Sequence, residues 1–171
     1  IDGRGWSVGQ RLLTDPRVLT DYLRLLFIPT PYSSGLFNDA FPVSTSWTHP
    51  TSTIPCMALI FALIATGLAL KKKYPPLALA LLFYFTAQLM ESGWIPLELY
   101  FEHRNYLPAM LLFWPIGLAL GHPGTLRFLR TAAAAAILAV LATLTAQRAA
   151  LWGNALRQAQ IWAALNPDSA R

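Results

Sequence analysis

The sequence predicts an all-α membrane architecture. About four helices span the bilayer, an amphipathic helix lies at the interface ahead of them, and a helical-repeat segment begins behind them. Three observations carry this reading. Hydrophobic residues make up 55% of the 171 and charged ones 12%, with a mean hydropathy of +0.43. A soluble domain carries about twice that share of charge. The apolar residues gather into four runs, and basic residues gather in two of the connections between runs.

Residues 1–53 read as an external region. Asp15 is placed to cap a helix with Pro16 at its first position. Val18, Leu19, Tyr22, Leu25 and Leu26 then follow helical spacing, with Arg17, Asp21 and Arg24 on another face. Such a helix lies flat at the interface, and Arg11, Arg17 and Arg24 reach lipid headgroups. Residues 31–50, rich in Pro, Ser, Thr and aromatics, read as an ordered external loop with His49 on its surface.

Residues 54–147 hold the spans, at 54–70, 76–90, 106–120 and 131–146. Each is near the short end of the roughly 17–25 residues a spanning helix needs. Lys71, Lys72 and Lys73 stand between the first two. Arg127 and Arg130, with no acid nearby, stand in the connection 121–130 between the last two. By the positive-inside rule both connections face the cytoplasm, which puts the 91–106 loop and both ends of the chain on the opposite side. The single Cys56 excludes an intrachain disulfide and reads as a small buried hydrophobe. The formal net charge of +5 is scattered among apolar runs, so it serves orientation and contact with anionic membrane lipid, and no nucleic acid is expected.

Residues 148–171 change character. Trp152, Leu156, Trp162 and Leu165 keep helical apolar spacing, and Asn166-Pro167-Asp168-Ser169 is a stop-and-restart signal. A helix, a break and a new helix suit the first unit of a tetratricopeptide-like array.

The strongest candidate site is Glu102-His103-Arg104-Asn105-Tyr106-Leu107-Pro108, which sets an acid, an imidazole and a guanidinium side by side at the head of an apolar run. Even the mildest scale assigns about 2.5–3.5 kcal/mol to a charge at the centre of a spanning helix, so such a cluster beside lipid points to function. Glu91 and Glu98 stand upstream as possible supports. As a metal centre the group has one imidazole and no diagnostic spacing. No cofactor is indicated, and a divalent ion on Glu91, Glu98, Glu102 and His103 stays open. A hydrolase reading lacks a nucleophile elbow. An anion site fits better: Arg104 offers a planar fork for phosphate, and His103 and Tyr106 add hydrogen bonds. A structural clamp, with Arg104 paired to Glu98 or Glu102, is the alternative, as is an interfacial anchor with Tyr100 and Tyr106 in the aromatic belt.

The same heptapeptide resembles the signature of multi-pass membrane proteins ending in tetratricopeptide repeats, of the transmembrane O-mannosyltransferase type with a GT-C glycosyltransferase fold. The stretches Arg11-Leu12-Leu13-Thr14, Tyr22-Leu23-Arg24-Leu25-Leu26-Phe27-Ile28-Pro29 and Phe41-Pro42-Val43-Ser44-Thr45-Ser46 resemble a loop region of those proteins, and residues 152–171 the lead-in to their repeats. The resemblance implies a lipid-linked (polyprenyl phosphate) sugar donor and a protein or glycan acceptor on the external face. Glu102, His103, Arg104 and Tyr106 would then serve as lipid-phosphate contacts. It also implies that the catalytic acid sits in an earlier external loop, so this stretch is expected to be internal to a longer chain. The alanine-rich, arginine-biased composition points to a bacterial inner membrane, with the 91–106 loop periplasmic.

Two other classes compete with the enzyme. A non-catalytic anchor would present the repeat domain to protein partners, but needs no Glu-His-Arg cluster. A transporter or flippase would place ionisable residues near the midplane rather than at the boundary.

Overall fold

The computed structural model describes residues 6–30, 41–89 and 99–165, and among these every regular element is a helix. The order is α1 (Val8–Phe27), α2 (Thr53–Leu70), α3 (Pro75–Gln88), α4 (Trp114–Gly121), α5 (Arg127–Trp152) and α6 (Ala155–Leu165), with two 3-10 turns, Glu102–Asn105 and Pro108–Leu111, between α3 and α4. Met90, Glu91, Trp94 and Glu98, the 31–40 part of the first loop and the Asn166–Ser169 signal lie outside the described residues.

α1 begins eight residues earlier than its Asp15-Pro16 signal suggested. Ser7 is the true cap: its Oγ accepts from Gln10 N at 3.2 Å while Gln10 Oε1 accepts from Ser7 N at 2.8 Å. This reciprocal capping box satisfies two helix-start donors at once. Pro16 therefore sits inside the helix, where it removes one backbone bond to Leu12, a half-exposed residue. Two of its three expected headgroup cations do not point outward. Arg11 and Arg17 are buried with Thr14, Asp15, Val18, Leu19 and Tyr22 on the face that packs toward α2, and of the three arginines only Arg24 is exposed.

α2 and α5 are each long and apolar enough to cross a membrane. At 1.5 Å per residue, the 18 residues of α2 reach about 27 Å and the 26 of α5 about 39 Å, against a hydrocarbon thickness of about 30 Å. Their apolar stretches are turned outward, with 17% of the α2 stretch and none of the α5 stretch buried inside the protein. α5 is also longer than its alanine run: Arg127 and Arg130 belong to its first turn rather than to the preceding connection, and Arg148 to its penultimate one. Ala, Leu and Arg are all strong helix formers, so nothing in 127–130 or 147–152 ends the helix before Gly153.

The other two expected spans do not form as single bilayer-length helices. The 14 residues of α3 cover about 21 Å. The 106–120 run is divided: a turn over Pro108–Leu111 precedes α4, whose eight residues begin at Trp114. Pro108 and Pro115 explain the division, since each lacks an N–H and its ring collides with the carbonyl four residues back. Both occupy first-turn positions, where that loss costs least.

α1 packs on α2, α2 on α3, α3 on the Pro108–Leu111 turn and α4, and α4 on α5. Gly67 lets α2 and α3 approach closely, because a Cβ there would lie 3.1 Å from the Leu82 side chain. The core joins Val18, Leu19 and Tyr22 of α1 to Ile60, Tyr84, Phe85, Tyr100 and Leu112. Polar bonds then gather one end of the bundle. Ser44 and Thr53 hold the start of α2 to α1, Tyr84 and Gln88 hold the end of α3 to Asn105, and Arg148 near the end of α5 donates to Thr30 O at 2.9 Å. The helices run away from that end and back, so the turns at Lys71–Lys73 and 122–126 fall at the other.

Candidate functional site

The Glu102–Asn105 turn is built onto α1. Phe101 N donates to Tyr22 Oη and Tyr100 Oη donates to Asp21 Oδ2, each at 2.6 Å, and the Tyr22 and Tyr100 rings meet edge-on at 5.0 Å. On the other side Asn105 is buried and its Oδ1 accepts from Gln88 Nε2 at 2.7 Å and from Tyr84 Oη at 3.3 Å. Two anchors five residues apart thus fix the turn that carries the charged motif. Between them, Arg104 stands half-buried over the Phe101 ring at 4.7 Å and His103 lies exposed against the same ring, centroid to centroid 4.8 Å. Tyr106 is 90% exposed.

Glu102 is half-buried and faces α1, close enough to add its charge to those acting on Arg24 and Tyr100. Burial first, and then the bond to Asp21, push the Tyr100 phenol well above its usual range, so it remains a hydrogen-bond donor. Arg24 is held above its usual value mainly by its hydrogen bond to Asp21 Oδ1, 2.7 Å long. The motif's glutamate therefore joins a cluster of α1 groups. Glu91 and Glu98, the expected supports, lie outside the described residues.

Beside this cluster is the part of the site that the sequence reading assigned to headgroup contact. Arg17 is 8% exposed. Its Nε donates to Ser52 Oγ at 2.9 Å and its Nη1 to Pro42 O and to Ser44 Oγ, and the Phe41 ring covers it at 5.0 Å. Ser44 is fully buried, its N bonded to Thr14 Oγ1 at 2.8 Å and its Oγ to Thr53 Oγ1 at 3.1 Å. The ion pairs among the described residues are Arg11–Asp15 and Arg24–Asp21, so Arg17 has only neutral partners there. An open depression of about 200 Å³ is lined by Arg17, Thr20, Asp21, Arg24, Phe41, Ser52 and Cys56. Cys56, expected to be buried, is half-buried at its wall, and its alkylation is a natural report on what occupies the space.

Comparison with protein-family models, curated proteins and solved structures finds no match to this chain. The site is therefore read from its own chemistry. Among the described residues no three of His, Cys, Asp and Glu gather closely enough to hold a metal ion. What the depression offers is two guanidinium groups, one carboxylate already bonded on both oxygens, and a hydroxyl-lined floor. Two guanidinium groups against one carboxylate leave the depression net positive, a charge that suits an anion. The arginines sit seven residues apart on α1, a spacing that puts them two turns apart on one face. Such spacing was visible in the sequence, but the residues enclosing Arg17 are 24 to 35 positions away, beyond the reach of local pattern.

Proposed function

We propose that the chain is the membrane portion of a glycosyltransferase-like protein that takes a lipid-linked sugar phosphate at the external membrane boundary. The observation that carries this reading is the motif turn, anchored at both ends to the helices while His103, Tyr106 and part of Arg104 stay accessible. A mere interfacial anchor has no need of a buried Asn105 and a Tyr22 bond to hold its geometry. In this reading α2 and α5 cross the bilayer with α3 and the 108–121 segment packed between them, and the polar end faces away from the basic turns. The positive-inside rule makes that end external, which in a bacterial inner membrane is the periplasm. Arg104 binds the phosphate while His103, and Glu102 from the α1 side, orient it or the acceptor, and the catalytic acid comes from another part of the full-length protein.

The test is sugar transfer from a polyprenyl phosphate donor by purified, monodisperse full-length protein. Arg104→Lys keeps the charge but loses the two-pronged geometry, so transfer falls at unchanged thermal stability. Wild-type transfer in that sample refutes the role of Arg104. The second reading, a non-catalytic anchor for a helical repeat, draws on the helix pair α5–α6, where Trp152 and Trp162 meet edge-on at 5.9 Å across Gly153. It is favoured if neither wild type nor variant transfers sugar with any polyprenyl phosphate donor.

A further inference from the structure

We infer that the depression over Arg17 and Arg24 is a binding site for the phosphate of a membrane lipid, separate from Arg104. The ligand class follows the proposed function, but the site itself stands on its own observations. Arg17 is buried without an anionic partner among the described residues. Removing a guanidinium from water is costly unless a counter-charge meets it, and neutral oxygens compensate only in part. Its Nε and Nη1 are used by Ser52, Pro42 and Ser44, none of the bonds among the described residues falls on Nη2, and the residue lines the depression. Arg24, exposed on the same α1 face, brings the second fork, and its carboxylate partner Asp21 is occupied by Arg24 and Tyr100 together.

Size and surroundings narrow the ligand. Pockets for drug-sized molecules are about 300–1,000 Å³, and this one is about 200 Å³. It admits a phosphate and leaves the remainder of a lipid outside. The way out is apolar. Ser52 and Cys56 lie at the start of α2, and Leu59 and Leu63 follow them on the same side of that helix, Leu59 exposed and Leu63 half-buried. A phosphate seated on Arg17 would leave its hydrocarbon tail lying along a helix suited to lipid. Phosphate monoesters and diesters of lipids share this chemistry with free phosphate, and the experiment separates the sources.

Cys56, the sole cysteine, reports on occupancy. The rate of its alkylation by N-ethylmaleimide is measured on the intact chain in neutral detergent. The additions are phosphatidic acid, diacylglycerol with the same acyl chains, polyprenyl phosphate and inorganic phosphate. Phosphatidic acid and polyprenyl phosphate should slow alkylation about fivefold or more, whereas diacylglycerol should not. Protection by inorganic phosphate at equal concentration would assign the site to free anions and overturn the lipid ligand. Equal protection by diacylglycerol, or none by any addition, would overturn the anion site. Arg24→Gln changes an exposed side chain and should still fold, and it should lose most of the protection; full protection in that variant would also overturn the proposal. Protection without sugar transfer in the full-length protein leaves this site standing and removes the transferase reading. Transfer without protection does the reverse.

Discussion

Replacing Asp15 with asparagine should stabilise the protein at pH 8, although Asp15 is one half of an ion pair. The carboxylate is buried on α1, and burial raises its pKa from 3.8 to about 6 while Arg11 pulls it only partly back. The geometry explains why Arg11 is a weak partner. Arg11 Nε is 4.0 Å from Asp15 Oδ2, outside hydrogen-bonding reach, and Oδ2 accepts no bond among the described residues. Arg11 also has the Trp6 ring at 5.4 Å, so it does not depend on Asp15 alone. Because the folded-state pKa of this acid is raised, the native protein holds a proton between about pH 4 and 6 that the unfolded chain has released. Stability therefore falls as pH rises through that window and levels off above it. At about 1.4 kcal/mol per pH unit the loss is about 3 kcal/mol at most. Asparagine mimics the protonated form and should recover about 2 kcal/mol of it at pH 8, or roughly 4–8 °C in midpoint for a chain of this size. The assay is thermal unfolding of wild type and Asp15→Asn in the same detergent at pH 4, 6 and 8. The variant should gain at pH 8, match wild type at pH 4, and show a flatter pH profile between. A loss of several degrees at pH 8 would show that the Arg11 pair outweighs desolvation and would refute the reasoning.

Four further outcomes follow from other contacts. Asn105→Ala leaves the buried Gln88 amide and the Tyr84 hydroxyl without their acceptor, which should cost about 2 kcal/mol in thermal or denaturant unfolding. Tyr100→Phe removes a 2.6 Å bond to a carboxylate that is 24% exposed. That should cost about 1–2 kcal/mol and loosen the motif turn, seen as faster amide exchange at Phe101. Gly67→Leu forces α2 away from Leu82 and should destabilise by about 1–3 kcal/mol, with loss of a disulfide engineered across the α2–α3 contact as the check. Single cysteines at Thr48 and Thr125, each in a Cys56→Ser background, should label from opposite faces of sealed vesicles, since those positions lie at opposite ends of the bundle; labelling from one face contradicts the topology.

How far the sequence was legible differs from element to element, for physical reasons. α2 was readable to within a residue because an uncharged apolar run ending in three lysines has few other uses. α5 was misjudged at its ends, where arginines were taken for loop charges although their helix propensity is high. The start of α1 was in the sequence all along as Ser7-x-x-Gln10, but the stronger-looking Asp15-Pro16 pair competed with it. Pro108 and Pro115 likewise announced the break in the third apolar run, which hydropathy averaged away. The motif was singled out by its clustered charges ahead of an apolar run, and the structure adds what holds the turn: Tyr22, Asp21, Tyr84 and Gln88, on helices 17 to 79 positions distant. Arg17 was the largest omission. Read locally it is one of several cations on an amphipathic helix. Only the return of 41–53 across α1 turns it into an enclosed charge.

Native mass spectrometry of the chain released from detergent tests most directly the claim that this end of the bundle handles a lipid phosphate. The sample is the protein purified from its membrane without added lipid, compared with Arg24→Gln and Arg104→Lys prepared identically. The account predicts a retained lipid whose mass fixes one phosphate, present on wild type, strongly depleted in Arg24→Gln and kept by Arg104→Lys. Retention of uncharged lipids as readily as phosphorylated ones, equal in all three proteins, would contradict it.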